Sequence, residues 1–415
     1  MRLYFVVSVV LLGLVGGLLP SQANGREPNE SGNLKTVVAG NSEFAFDLYA
    51  KLKDSPKVKE EGGNLFFSPY SISGALAMTW AGARAETEKQ MAQVLHFNLP
   101  QEQLHTVFGT LEKLLNDGGK KGEYRLSVAN ALWGQKGEGF LKEFLDLTNK
   151  YYSAGLNEVD FVSSVEREKN RRIINAWVEK QTQDKIKELI GKNVLNSETV
   201  LVLTNAIYFK GDWVNQFDKK NTKNAPFMVT AQENVQVPLM YLKENFKYWA
   251  DDRLQIIELP YKGEHLSMIV LLPREIGGLA ELEKSLTFNN LNTWLSQLRK
   301  QKAMVYLPKF KMTSGFSLVR TLADMGMPSA FSGADFSGIN GKKDLFISEV
   351  LHKAFVEVNE EGTEAAAATA VVMVKGLEKI PVFRADHPFV FMIKDNRSGS
   401  ILFIGRVVNP AKQDK

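Results

Sequence analysis

The chain has 415 residues, a formal net charge of +4, 44% hydrophobic and 24% charged residues, and no cysteine. That balance is ordinary for a soluble globular protein and large enough for a sizeable core. It excludes disulfides, thiolate metal sites and a cysteine-linked lipid tether. No basic run is interleaved with aromatics, so nothing in it supports nucleic-acid binding.

Residues 1–23 read as a secretory signal peptide. Arg2 supplies the charge, residues 3–19 are mostly apolar, and Ser21-Gln22-Ala23 is a small-x-small cleavage site. An uncleaved anchor is the competing reading, disfavoured by Gly13, Gly16, Gly17 and Pro20. Removal places the chain outside the membrane, secreted or, in a Gram-negative host, periplasmic. Residues 24–34 are polar and predicted to be a flexible new N-terminus.

Helical periodicity then begins at 42–53, where Phe44, Leu48 and Leu52 fall one turn apart. A strand at 64–67 precedes a buried helix over 69–83. Helical patterns recur at 87–95, 102–115, 141–152 and 165–190. Strands are predicted at 125–133, 200–209, 254–259, 266–272, 303–307, 345–348, 354–358, 389–394 and 400–407. Helices first and strands later, without βαβ alternation, predict one α+β domain with mostly antiparallel sheets.

Catalytic constellations are missing. There is no Gly-x-Ser-x-Gly elbow, phosphate loop or His-Glu-x-x-His helix, and His96, His105, His265, His352 and His387 have no ligand spacing. Ser68 and Ser71 follow a strand but precede a helix, which makes them capping residues rather than nucleophiles. No metal or cofactor is implied.

The most informative segment is 359–374, an acidic, glycine-punctuated, alanine-rich run that passes into β-branched residues. Residues 364–368 favour helix, whereas 369–374 favour strand. Taken alone it reads as an exposed helix after Gly362, capped by Thr363 with Glu364 in its first turn. Yet Thr363, Ala365, Ala367 and Thr369 would alternate onto one small, uncharged face, and no proline interrupts 362–374. Such a loop could become a strand.

The surrounding motifs favour the strand. Asn64-Leu65-Phe66-Phe67-Ser68-Pro69-Tyr70-Ser71-Ile72-Ser73, Thr204-Asn205-Ala206-Ile207-Tyr208-Phe209-Lys210-Gly211-Asp212-Trp213 and Leu307-Pro308-Lys309-Phe310 resemble signatures of the serpins, the serine protease inhibitor family. So do Ala330-Phe331-Ser332-Gly333-Ala334-Asp335-Phe336-Ser337, Ala385-Asp386-His387-Pro388-Phe389-Val390-Phe391 and Gly405-Arg406-Val407-Val408-Asn409-Pro410. They occur in the family's order across nearly the whole chain.

The resemblance implies a single serpin-like domain over 35–415, with a large mostly antiparallel sheet, further sheets, about nine helices and an exposed reactive-centre loop near 360–384. It also implies suicide inhibition. A protease cleaves the loop, an acyl-enzyme forms, and the loop's N-terminal arm inserts into the largest sheet before hydrolysis. The partner would be a trypsin-, chymotrypsin- or elastase-like serine protease in a covalent 1:1 complex. The chain itself would be a monomer able to polymerise by loop insertion.

The implied hinge comprises Glu360, Gly362, Thr363, Glu364, Ala365, Ala366, Ala367 and Ala368. Ser68, Ser71, Asn205 and His352 would form a polar shutter beneath the main sheet. Trp213, Lys309 and Glu360 would form a breach where insertion begins, worth only ~0–1 kcal/mol if Lys309–Glu360 is an exposed pair. Family spacing puts the reactive bond at Gly376-Leu377, with Lys375-Gly376 and Leu377-Glu378 kept open. A non-inhibitory binding protein or chaperone, and a cross-class inhibitor of cysteine proteases, remain as alternative functions. Heparin-type activation lacks support, since the 102–115 helix has Lys113 as its only basic residue. Asn29-Glu30-Ser31 and Asn396-Arg397-Ser398 fit the glycosylation pattern.

Overall fold

The computed structural model describes residues 30–120, 122–152, 155–362 and 380–412. Helix α1 (Glu30–Leu52) is followed by the short α2 (Pro56–Glu60) and strand β1 (Leu65–Phe67). Then come α3 (Pro69–Trp80), α4 (Ala85–Val94), α5 (Gln101–Lys120), β2 (Tyr124–Gln135) and α6 (Lys142–Tyr152). Strands β3 (Leu156–Val159) and β4 (Leu201–Gly211) flank α7 (Ser164–Gln181). A run of strands follows: β5 (Lys223–Met228), β6 (Asn234–Ala250), β7 (Leu254–Pro260) and β8 (Leu266–Pro273). Helices α8 (Leu279–Ser285) and α9 (Phe288–Gln297) lead into β9 (Arg299–Pro308), β10 (Phe310–Ser317), α10 (Val319–Met325) and α11 (Ser337–Asn340). The last elements are β11 (Glu349–Val358), β12 (Val382–Arg384), β13 (Phe389–Asp395) and β14 (Ile401–Val407).

The strands form two sheets. The larger has nine strands, ordered β1-β14-β13-β8-β7-β6-β9-β12 with β5 on β6. Only its β9·β12 pairing is parallel. The smaller runs β10-β11-β4-β2-β3. Its central pair, β4 and β11, is parallel, from Glu349↔Val202 to Phe355↔Tyr208.

Period-two alternation divides this five-stranded sheet between two cores. Leu203, Ile207, Leu132, Val350 and Val356 join the main apolar core on the α3 side. Ala206, Tyr208, Trp133, Leu351 and Phe355 face Ile174 and Val178 of α7. Every residue of α3 is buried, and Ser68 caps it by accepting from the Ser71 amide with Pro69 in the first turn. A helix apolar all round belongs inside a core, which is where this one lies.

Several expectations change. Residues 30–34 are the first turn of α1, not a flexible tail; Leu34 packs on the core and Asn33 Nδ2 donates to Gln103 Oε1 at 3.2 Å. The 165–190 helix stops at Gln181, because Gln183, Asp184 and Glu188 take left-handed φ values of 53°, 60° and 48°. The second apolar stripe still packs there. Asn175 clamps the Ile190 amide and carbonyl at 2.8 and 2.9 Å, which seats Ile186 and Ile190 beneath the sheet without a helix. The described residues hold eleven α-helices rather than about nine, the excess being short pieces such as α2 and α11. Segment 359–374 departs from β11 of the five-stranded sheet and the chain returns into β12 of the nine-stranded one, so the strands flanking the N-terminal arm belong to the smaller sheet and not to the largest. Strand β6 was absent from the sequence expectations because its exposed Lys243, Glu244 and Asn245 carry no β signal.

Gly405 shows how tightly the larger sheet packs. A Cβ there would press on the Leu65 carbonyl oxygen and come within 3.0 Å of the Phe391 ring. Gly405→Ala should therefore disturb both the β1·β14 and β13·β14 pairings and destabilise by about 1–3 kcal/mol. Thermal unfolding would record a lower midpoint; an unchanged midpoint would show that β1 can shift freely.

Candidate functional site

Two groups of polar residues sit at the β4·β11 junction. The first lies between the five-stranded sheet and α3. Asn205 stands opposite Asn130 on β2 and alongside His352 on β11, so the register itself brings the three together. The Ser68 amide must donate to His352 Nε2, at 3.2 Å, which leaves Nδ1 carrying the proton. That proton goes to Asn205 Oδ1, and the Asn205 amide nitrogen then donates to Ser71 Oγ and Asn130 Oδ1. Ser71 Oγ donates to Asn130 Oδ1 at 3.2 Å, and Ser68 Oγ donates to the Leu402 carbonyl at 2.6 Å. Each bond fixes the direction of the next, so the cluster is satisfied only with a neutral imidazole. Burial pushes the His352 pKa down to about 3. Asn130 was missed in the sequence, although an asparagine inside an otherwise β-rich apolar run was the available signal.

The second group closes the top of β11. Asn359 and Gly362 exchange backbone hydrogen bonds at 3.3 and 3.2 Å, so the chain reverses over four residues. Gly362 has φ +110°. A Cβ there would lie 2.5 Å from the Trp213 nitrogen, 2.7 Å from the Asp212 Cα and closer still to the Gly211 carbonyl oxygen. Glycine is required by conformation and by space.

Trp213 is tied to the same turn. Its amide donates to the Glu361 carbonyl at 3.0 Å and its indole to the Asn359 carbonyl at 3.1 Å, while its ring stacks on Tyr261 at 4.5 Å. Glu360 Oε2 meets Lys309 Nζ at 2.8 Å, and Thr222 Oγ1 donates to Oε1 at 2.9 Å. The Glu360 side chain is only 5% exposed, so this pair is far from the exposed bridge expected. Burial alone would raise the Glu360 pKa; the bonds from Lys309, the backbone and Thr222 outweigh it and hold the carboxyl below its ordinary value. Glu361 engages Lys219 on the outside.

Thr363, Glu364, Ala365, Ala366, Ala367 and Ala368 of the expected hinge, and Lys375, Gly376 and Leu377 at the expected bond, lie outside the described residues. So do Asn29 and the leader. The Asn396 sequon is folded inward. Its amide donates to the Glu264 carbonyl at 2.9 Å and to Ser267 Oγ at 2.8 Å, and Ser398 Oγ donates to Asp395 at 2.6 Å. A glycan on Asn396 would have to break those bonds.

Comparison with known proteins accords with this architecture. A family model described as serpin (serine protease inhibitor) matches residues 39–410. The leukocyte elastase inhibitor of Xenopus laevis is 44% identical over 377 residues, 88% of this chain and 97% of that protein. Its Homo sapiens namesake is 43% identical over 388 residues, 91% and 100% of the two chains. Among solved structures, uncleaved ovalbumin superposes with a TM-score of 0.80 at 34% identity, covering 90% of this chain and all 100% of ovalbumin. Serpin48 of Tenebrio molitor gives 0.79 at 36%, with 90% and 98% covered. The chain belongs to the serpin family. It is a serine protease inhibitor, not a catalytic enzyme.

The neutral His352 sets a pH signature. Its folded pKa is depressed, so its contribution to stability is complete above the unfolded value near 6.5 and is lost as pH falls toward about 3. Buried His105, pushed down to about 4, acts with the same sign. The unfolding midpoint should drop between pH 6.5 and 4, and less steeply in His352→Gln, which starts lower at pH 7. Equal slopes for the two proteins would mean that His352 is not the group responsible.

Proposed function

We propose that the chain traps a serine protease by offering residues 363–379 as bait and inserting the cleaved N-terminal arm between β4 and β11. The observation that carries this reading is the parallel pairing of those two strands below a glycine turn. A segment reversing at Gly362 runs antiparallel to both neighbours. One parallel ladder is then exchanged for two antiparallel ones, the more stable arrangement. Roughly a dozen newly paired backbone groups at ~1 kcal/mol net each would supply on the order of 10 kcal/mol. The intact form would then persist kinetically rather than as the free-energy minimum.

In this scheme the Ser68–Ser71–Asn130–Asn205–His352 cluster is the shutter that must part, and Glu360–Lys309 with Trp213 is the latch at its upper end. The small face Thr363, Ala365, Ala367 and Thr369 enters the sheet first, with Ala366, Ala368 and Glu364 on the other side. The relatives named leukocyte elastase inhibitor and the apolar run 371–374 support an elastase- or chymotrypsin-like target; Lys375 keeps a trypsin-like one open. Gly376-Leu377 is the bond set by spacing, flanked by Lys375-Gly376 and Leu377-Glu378. The covalent complex would be 1:1, polymerisation would be the same insertion made between copies, and a leader at 1–23 would direct the chain to secretion.

Incubation with trypsin-, chymotrypsin-, elastase- and subtilisin-like proteases tests this. At least one should give a detergent-stable covalent band and release a C-terminal peptide whose mass places the cut within 374–378. Cleavage by every protease without a covalent band would leave a substrate rather than an inhibitor, and a cut elsewhere would move the bond. Thr363→Arg puts a charge on the face that must be buried. It should yield roughly tenfold less complex and more cleaved chain, about 1.4 kcal/mol in the partition between insertion and hydrolysis. Unchanged trapping by that variant would rule insertion out.

A further inference from the structure

The outer face of the larger sheet carries a charge pattern that the inhibitory scheme does not use. In β6 and β9 the paired positions Tyr241↔Tyr306, Lys243↔Met304, Asn245↔Lys302 and Lys247↔Lys300 share one face. Strand β12 extends it with Val382 beside Met304 and Arg384 beside Tyr306. Of the alternate residues, Phe246, Ala303, Val305 and Phe383 are buried in the core and Glu244 and Gln301 are exposed, whereas no lysine of this face is buried, so this face is the solvent side. Lys243, Lys247, Lys300 and Lys302 are exposed on it.

Lys247 and Lys300 are directly opposite one another, a like-charge arrangement that destabilises an isolated sheet. Glu244 is exposed but alternates onto the opposite face, and the two carboxylates nearest the lysine face are engaged. Glu258 binds Lys247 at 2.8 Å, and Asp386 lies 2.7 Å from Arg384 Nε and 3.0 Å from His387 Nδ1. Lys243, Lys300 and Lys302 have no charged partner among the described residues. Tyr241 and Tyr306 pack with centroids 4.8 Å apart, and the Arg384 guanidinium lies 4.8 Å over the Tyr306 ring, giving the lysines a firm apolar floor.

Position decides what meets this face. Strand β12 is the first strand after residues 363–379, and the Pro381 carbonyl accepts the Met304 amide at 2.9 Å. Continuing the parallel register backwards sets residue 380 alongside Lys302. Lys302 therefore lies beside the first described residue after 363–379. Resting on the inhibitory reading above, we propose that this face is a docking surface for an acidic patch on the target protease, engaged while the loop occupies its active site. Unpaired exposed lysines raise the encounter rate with an acidic partner and lower it for a basic one.

Anionic and cationic trypsin, both able to attack at Lys375, are the probes. Each is used active for trapping and with its active-site serine replaced for non-covalent binding. The lysine variant is Lys243→Glu with Lys302→Glu. At low salt, anionic trypsin should associate with the unaltered chain about tenfold faster than with the variant, and the gap should close as ionic strength rises. Cationic trypsin should show no loss or a gain. The fraction of encounters ending in a covalent complex should stay the same, since neither lysine is in the insertion path. Equal rates for both chains with anionic trypsin at low salt would overturn the proposal. So would a lysine-dependent response seen only when heparin is added, which would assign the face to a sulfated polysaccharide. If no covalent complex forms but inactivated anionic trypsin still binds through the lysines, the inhibitory reading fails and the docking surface stands.

Discussion

The parallel pairing of β4 with β11 is the constraint on which the rest of this architecture turns. Strands running the same way cannot be joined by a tight turn, so β11 is reached from β4 only after some 140 residues that build most of the larger sheet. The chain then leaves β11 by reversing at once. The turn ending at Gly362 stands over the seam between the two strands, against Gly211 and Trp213. The turn itself is firmly held: the Glu361 and Asn359 carbonyls accept from Trp213, and Glu360 is bound by Lys309 and Thr222.

Midway along the same seam a polar cluster is set among the apolar residues of the two strands. A leucine pair at His352 and Asn205 would fill the space but would give the sheet a reason to stay shut. The existing chain of bonds runs from the Ser68 amide through His352, Asn205 and Asn130 back to the α3 N-terminus. Its members can be re-satisfied by a newly arrived strand backbone, which an apolar plug cannot offer. Burial depresses the His352 pKa, and the neutral ring is the form that fits, since a second ring proton would face the Ser68 amide with no acceptor.

The fold class was legible because it rests on periodicity and long motifs that survive without context. Ser68 and Pro69 announce the α3 cap, and the long, β-rich, nearly uncharged run 200–209 announces a buried strand. The contact between Ser68, Ser71, Asn205 and His352 came from resemblance, since no local signal links residues 284 positions apart. Asn130 escaped because its meaning depends on register. Glu360 was placed beside Lys309, but its burial, with the Phe217 amide on its carbonyl and Thr222 on its carboxylate, depends on a turn whose tightness only the three-dimensional structure reveals. The end of α7 at Gln181 went unseen for a related reason. Residues 182–190 have helical spacing, yet Asn175 and Arg171 bind the Ile190 backbone and fold the segment back over the sheet.

With no cysteine in the chain, nothing covalent ties α7 or the two parallel strands in place. The segment from α7 to Leu195 lies across the face that Tyr208, Leu351 and Phe355 present, so a strand entering the seam must widen the sheet beneath it. That cover is apolar and non-directional, which allows it to slide and re-form after the sheet has changed width. The directional bonds are gathered instead at two points, the Glu360 turn above the seam and His352 midway along it. A fold that has to be stable yet able to accept another strand is served by that division: apolar contacts preserve the molecule as a whole, and a few hydrogen bonds set the barrier to opening it.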